Sequence, residues 1–520
     1  MPARRSSVSY SRVSAEDKVI FIKKYALPLG IITLVMCMAS FFLITADSVF
    51  TVHDDILTYM QVERGNLWQT AVDDAKHGRV GHIPLTFLLY IPYFFKSPLI
   101  VRAFSAGAVL FDMASLYYLV KNNINRNAGL LSCILFISFA CISNQHNLFV
   151  SYIIGHQIPS GMVLFALGIF TKYYPERKSR KKLIASATLL TAASLLYEAC
   201  TAYILLFLLT AFLKNEGKFS GKVINTIKDN IIHFAFLAGY VLVYYLWRRS
   251  FPSDYSGSVL AFNNIPQSLI TMFRYSFGMV PGLPAAAMFI KGYVPVSEIL
   301  NECSPWMIIA PIAAAVSFGI LFPETEIKQK KSALILYCLA GIVIPNLIIS
   351  FTPKYTKWTE SGSYAYVTSF YSYFFLIALF ILVLKCIIKK NSRIANVSIS
   401  FLVFAVSLVS TVNNAAWNCY FRGEFARYKA FSAAVSSDYF DTLEDGTTVY
   451  IPDYTGIHHD MSVTESFVSI YTDSALTFTN DPESIDFDRP VIMMKYDPEN
   501  EIINCGKMNQ DMNFFVDFHT

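Results

Sequence analysis

The sequence predicts an α-helical polytopic membrane protein of about eleven transmembrane helices, followed by a small extracytoplasmic C-terminal domain of α/β or β-rich type. Three observations carry the prediction. Of 520 residues, 54% are apolar and only 15% charged, with a mean hydropathy of +0.44, whereas a soluble globular chain carries about 25% charge. Apolar runs long enough to cross a hydrocarbon core of about 30 Å recur through residues 1–412. The charge is also divided: residues 413–520 hold 6 Lys and Arg against 18 Asp and Glu, a charge of −12, while residues 1–412 hold 36 against 19, a charge of +17. The formal net charge of +5 therefore averages a basic, greasy body and an acidic, polar one. Three parts follow: a cytoplasmic N-terminus (1–24), a multi-span module (25–412) with a first external loop (47–98), and an acidic tail domain (413–520). Positive charge falls in short clusters between apolar runs, not on one face, which excludes nucleic acid as a partner.

In order along the chain, spans are expected near 25–46, 99–120, 128–143, 159–174, 183–196, 199–213, 231–247, 305–322, 332–351, 367–388 and 395–412. A basic start before the first apolar run also suits a signal peptide, but the run of about 20 residues is long for one and further spans follow, so it reads as a retained anchor. Alternate connections differ in Lys and Arg as the positive-inside rule requires. The N-terminus holds six (Arg4, Arg5, Arg12, Lys18, Lys23, Lys24), and the loops 121–127, 172–182, 214–228, 323–331 and 385–393 hold 2, 6, 4, 3 and 4. The intervening gaps 143–158 and 197–198 hold none. This sets the N-terminus in the cytoplasm and the tail outside, at the plasma (inner) membrane. Merging 183–213 into one long span would place basic clusters on opposite sides, against the rule. In the tail, the strand-like runs TTVYIP, ALTFTN, PVIMMKY and NFFVDF are separated by turn residues.

Of nine cysteines, six lie in or beside spans, where a small buried hydrophobe is the ordinary role. Cys303, Cys419 and Cys505 fall on the external side, and the two in the tail can pair if the compartment oxidises and the geometry suits. Neither metal-ligand spacing nor a phosphate-cradling glycine loop occurs, which argues against direct use of ATP or a nucleotide sugar.

The polar machinery therefore faces away from the cytoplasm. Directly after the first span stand His53, Asp54 and Asp55, then Asp73-Asp74 and Gly78-Arg79. An acid pair at a helix start is stabilising in its own right as cap and first-turn charge. Beside a low-dielectric boundary, a carboxylate can also have its pKa raised toward the working range of a general base. Basic residues placed on the same side are Arg79, Arg102, Arg248, Arg249, Arg274, Lys354 and Lys357. Arg248-Arg249 breaks the positive-inside trend and reads equally as an interfacial anchor or as a clamp on phosphate oxygens. Glu198, preceded by Tyr197 in a 31-residue apolar stretch, is expensive in a membrane and so a functional candidate, as is Asp112 within the second span. The segment 353–375 adds Lys354, Lys357, Trp358 and many tyrosines, a mixture that suits an aromatic belt or a carbohydrate site.

In its first-loop acids (His53-Asp54-Asp55), the Gly78-Arg79 pair, Tyr197-Glu198 and its span architecture over 1–412, the sequence resembles the GT-C superfamily of integral-membrane glycosyltransferases, nearest to bacterial enzymes that decorate O-antigen or wall polysaccharide. The resemblance implies a polyprenyl-phosphate-linked monosaccharide donor, a polysaccharide or lipid-linked glycan acceptor, and inverting transfer at the outer membrane face. Asp54 or Asp55 would then be the base, Arg79 and Arg248-Arg249 would hold the donor phosphate, and Glu198 would orient base or sugar. His53, Tyr197, Lys354, Lys357 and Trp358 would line the substrate. Some branches of the superfamily use a divalent cation held by such acids and others do not; no complete ligand set is visible, and no metal or other cofactor is assigned. The alternatives are an O-antigen-type polymerase or ligase, expected to carry its site in a late loop, and a transporter or flippase, expected to show two related halves.

Overall fold

The computed structural model describes residues 15–520 except 50–52, 66, 77–87, 89, 96, 145, 175–178, 253–256, 258, 292–293, 328, 389–391 and 453–460. Arg79 lies outside the described residues, as does the side chain of His53.

The N-terminal body opens with α1 (Ala15–Ile44), then α2 (His53–Arg64) and α3 (Leu67–Lys76) of the first loop, α4 (Pro98–Asn123), α5 (Arg126–Ser138) and α6 (Ile158–Tyr173). It continues with α7 (Arg180–Leu196), α8 (Ile204–Lys214), the short amphipathic α9 (Phe219–Asp229) and α10 (Ile231–Ser250). Next are α11 (Ile265–Phe277), α12 (Leu283–Lys291), α13 (Val296–Asn301), α14 (Trp306–Leu321), α15 (Lys331–Val343), α16 (Pro353–Glu360) and α17 (Val367–Ile387). Finally, α18 (Arg393–Val435) leads into a tail that holds α19 (Met461–Val468).

Among the described residues, six helical stretches are long and apolar enough to cross a membrane: Tyr25–Ile44, Pro98–Asn123, Ile153–Tyr173, Ile231–Ser250, Val367–Ile387 and Arg393–Val435. Three shorter apolar ones (Arg126–Ser138, Trp306–Leu321 and Lys331–Asn346) lie at positions where spans are expected. The apolar stretch 183–213 divides as the charge pattern requires. Helix α7 ends at Leu196, Tyr197 is extended (φ −147°, ψ 110°), and a 3₁₀ segment, Glu198–Tyr203, precedes α8.

The helical core is packed with aromatics. Phe136 of α5 stacks on Phe374 of α17 with ring centroids 4.9 Å apart, and Tyr373 donates its hydroxyl to the carbonyl of Phe136 at 2.9 Å. Where lipid replaces water, close packing and satisfied polar groups, not the hydrophobic effect, hold helices together. Asp112 serves this purpose: it is wholly buried in α4 and accepts the Ser160 hydroxyl of α6 at 2.7 Å. Beside it Gly161 permits the approach, since a Cβ there would stand 2.6 Å from the Phe111 ring.

Helix α18 does not stop at 412. Its 43 residues extend about 65 Å at 1.5 Å per residue, twice the thickness of a hydrocarbon core. The second half carries the tail, a five-stranded sheet in the order β2-β1-β3-β4-β5. Here β1 (Thr448–Tyr450) pairs in parallel with β2 (Thr477–Thr479) and β3 (Val491–Asp497), and β4 (Ile502–Met508) pairs antiparallel with β3 and β5 (Phe514–His519). At Gly506 the β5 backbone comes so close that a Cβ would meet the Phe515 carbonyl oxygen at 1.9 Å. The β4–β5 register also shifts there, between Cys505 and Gly506. Cys419 and Cys505 are separate buried free thiols, the first at the junction of α18 with the helical core and the second in the sheet core, so the pairing considered from the sequence is not made.

Candidate functional site

Helix α2 is short, and its faces have different partners. Ile56 and Met60, four apart and hence on one face, enter the tail core with Phe431, Val449, Phe467 and Ile503. Tyr59 and Val62 pack instead on the cluster of Tyr93, Val101 and Ala108 at and before the start of α4. The first turn carries the two acids. Asp55 is buried and accepts the hydroxyl of buried Tyr93 at 2.9 Å. Asp54 is half-buried, and its Oδ2 accepts the Tyr152 hydroxyl at 2.5 Å, the short distance of a charge-assisted bond. Both phenols are pushed well above their usual range, first by burial and then by the adjacent carboxylate, Asp55 for Tyr93 and Asp54 for Tyr152. They therefore stay protonated and act as donors.

Tyr152 ends a loop, 139–152, that is held from several sides. Asn414 of α18 accepts from the Ile142 backbone NH at 2.8 Å and donates to the Ala140 carbonyl at 2.8 Å, while Asn413 donates to the Ile142 carbonyl at 3.0 Å. Within the loop, Asn147 donates to the Cys141 carbonyl at 2.7 Å and accepts from the Phe149 NH at 3.0 Å. Arg102 is buried beneath it, donating to Thr45 Oγ1 at 2.6 Å and to the Phe149 carbonyl at 3.4 Å. This arginine is thus committed to holding the loop. Tyr152 itself has φ +52°, and His146 has φ +46°. A left-handed backbone costs a residue other than glycine on the order of 1–3 kcal/mol and persists where its surroundings over-determine it. A single π-helical turn, Ile153–Gln157, follows.

His146 Nδ1 lies 2.7 Å from the Tyr152 hydroxyl. Its ring stacks parallel to that of Trp358 in α16, centroids 5.3 Å apart with a 1° interplanar angle, and Tyr366 meets it edge-on at 5.4 Å. The Lys354 ammonium, one turn before Trp358, lies 5.0 Å from the centre of the same indole. Tyr355 and Tyr366 share a hydroxyl–hydroxyl bond of 3.0 Å. From the other side of Tyr152, His156 packs at 5.0 Å, and buried Tyr197 meets His156 at 4.6 Å.

Of the residues singled out from the sequence, Asp54, Asp55, Tyr197, Lys354 and Trp358 therefore converge around Tyr152 and His146. With His146 and Lys354 over its ring, Trp358 supports polar groups more than it offers a bare aromatic face. Lys357 does not join them, being exposed on α16. The half-buried Glu198 carboxylate has no hydrogen-bond or ion-pair partner among the described residues; its charge acts on Tyr240 of α10 and on Cys200. Arg248, half-buried, and Arg249, exposed, close α10 beside the first loop, because Trp247 donates Nε1 to the Ala75 carbonyl of α3 at 2.6 Å. Arg274 donates to the Thr359 carbonyl at 2.5 Å and braces α16. Among the described residues, no group of three or more His, Cys, Asp and Glu side chains gathers as a metal would require.

Sequence reasoning missed Tyr93, His146, Tyr152 and His156. The available signal was two of the chain's nine histidines in an uncharged gap on the side of the first-loop acids.

No protein-family model and no curated protein matches the chain. Among solved structures it is similar to the Archaeoglobus fulgidus oligosaccharyltransferase in the apo form, with a TM-score of 0.42 and 13% identity over 89% of this chain and 65% of that one. It is similar also to oligosaccharyltransferase AglB of the same organism in complex with an inhibitory peptide and a dolichol-phosphate (TM-score 0.38, 12% identity, 88% of this chain and 65% of that one). A third is ArnT from Cupriavidus metallidurans bound to undecaprenyl phosphate (TM-score 0.37, 11% identity, 93% of this chain and 94% of that one). The chain spans 65% of the length of the archaeal proteins it is similar to, and nearly the whole length of ArnT.

Proposed function

We propose that the protein is a membrane glycosyltransferase that moves a monosaccharide from a polyprenyl-phosphate donor to a cell-surface glycan acceptor at the extracytoplasmic face of the plasma membrane, inverting the anomeric carbon. The observation that carries the reading is the convergence, at one end of the spans, of the first-loop carboxylates with a cationic, aromatic wall from α16. Asp54 is the base. It is the more accessible of the two acids, whereas Asp55 is spent on buried Tyr93. Asp54 takes the proton of the acceptor hydroxyl as that oxygen attacks the anomeric carbon, and the sugar–phosphate bond breaks with its electron pair leaving on the polyprenyl phosphate. Charge on the leaving group is met by Lys354 and by Arg248 and Arg249 at the first-loop end of α10, with Arg79 from the same loop; a planar guanidinium suits phosphate oxygens bidentately. Catalysis of this kind draws on positioning and on charge placed where it develops.

The test is reconstitution of the full chain in vesicles with a polyprenyl-phosphate sugar and extracted surface glycan, next to glycan analysis of a deletion strain. Loss of one sugar substituent in the strain, with sugar transfer in the vesicles, is the expected result. Unchanged glycans together with altered small-molecule uptake would overturn it in favour of a transporter.

A further inference from the structure

A polar chain leads away from Asp54. Tyr152 donates its single hydroxyl proton to Asp54 Oδ2 at 2.5 Å, so the 2.7 Å contact between His146 Nδ1 and the same oxygen must be carried by the imidazole's proton. The order is His146 Nδ1–H to Tyr152 O–H to Asp54, every donor pointing at the carboxylate. Four described residues other than glycine have positive φ: Glu501 and Met512 lie in the hairpin turns of the tail, while His146 and Tyr152 are the two links of this chain. The imidazole is fixed by the stacked, parallel indole of Trp358 and the edge of Tyr366.

We propose that His146 is a positioning residue that sets the orientation and basicity of Asp54 through Tyr152. This rests on Asp54 being the base. The titratable and charged groups around the chain are Asp54 and Asp55 of α2, Tyr93 before α4, His156 of the π turn, Lys354 and Tyr355 of α16, and Tyr366 before α17. Within this set His146 faces the oxygen that Tyr152 turns toward Asp54. A donor bonded to the charged form of a carboxylate lowers its pKa. When the imidazole is protonated it pulls harder on the phenol oxygen, the phenol donates more strongly, and Asp54 becomes a weaker base. Rate therefore falls on the acid side with two components, one from the carboxylate and one from the imidazole.

The experiment is the pH–rate profile of sugar transfer by the reconstituted full chain, for wild type, Tyr152→Phe, His146→Gln and His146→Ala, with Asp54→Asn as control and thermal unfolding of each. Tyr152→Phe should lower kcat about tenfold, leave KM for the donor within about twofold, and move the acid limb to higher pH by about one pH unit. His146→Gln keeps an N–H donor that does not titrate, so it should recover most of the rate that His146→Ala loses while the acid limb becomes shallower. A wild-type acid limb in His146→Gln, with Asp54→Asn inactive, overturns the role of His146 and leaves the base assignment standing, whatever Tyr152→Phe does. Activity in Asp54→Asn overturns both. If His146→Gln fails to fold, the double variant His146→Ala with Tyr152→Phe decides: an acid limb equal to that of Tyr152→Phe alone supports action through Tyr152, and a further shift overturns it.

Discussion

Met60→Ala should disable sugar transfer without touching an acid or a base. Met60 is 2% exposed and, with Ile56, lodges α2 in the tail core against Phe431, Val449 and Phe467. Shortening a buried Met to Ala costs about 2–5 kcal/mol, from lost transfer energy and the cavity left behind. Nothing local compensates, because a 12-residue helix is marginal by itself in water. The Tyr152 and Tyr93 bonds to the acids contribute about 1.5–3 kcal/mol each at most. A loss of ~3 kcal/mol therefore rivals either of these bonds, and corresponds to about a hundredfold change in the ratio of docked to undocked α2. The expected outcome is a fall of about ten- to a hundredfold in kcat. In hydrogen exchange, α2 amides should exchange faster while β3 and β4 stay protected. Wild-type kcat with unchanged α2 protection would refute the idea that the tail positions the acids.

Asp54→Asn should fold and insert normally yet lose at least a thousandfold in transfer, an order-of-magnitude figure for a general base that also aligns its substrate; donor-dependent product formation measures it. Arg248→Gln with Arg249→Gln should raise KM for the lipid donor several-fold and leave insertion intact, and an unchanged donor titration would mark the pair as an interfacial anchor. The raised pKa values of Tyr93 and Tyr152 imply a pH dependence of stability. The native phenols keep protons that the unfolded chain releases above about pH 10. The contribution is whole below pH 10 and declines above it, so Tyr93→Phe and Tyr152→Phe should flatten the fall of the thermal midpoint between about pH 10 and 12.

The long apolar helices are legible because a membrane imposes long apolar runs, and the break at Tyr197 is legible in the Lys and Arg alternation of the connections. Asp54 and Asp55 were legible as adjacent charges beside a boundary that tolerates few. Their partners were not, since Tyr152 and His146 acquire meaning only when loop 139–152 folds back over α2, and nothing in SNQHNLFVSY marks that return. Strand β4 is hidden in the sequence for a local reason: IINCGKM carries Asn, Cys and Gly where alternation would show, and Gly506 is demanded by the approach of β5 and not by strand propensity. The sequence suggests that the last span ends at 412, because hydropathy drops there. Asn413, Asn414 and Asn418 look like helix breakers on paper, yet in the fold they satisfy backbone groups of the loop 140–142 and of Asp47.

The unbroken course of α18 makes the tail and the spans one torsional unit. Each residue of a helix advances about 100° and 1.5 Å, so a single residue inserted between Cys419 and Phe425 would swing the sheet through more than a quarter turn and carry the pocket for Ile56 and Met60 away from α2. Seven inserted residues would nearly restore the phase but lift that pocket by about 10 Å. Helical phase along this one rod thus sets where the pocket for Ile56 and Met60 meets the first-loop helix.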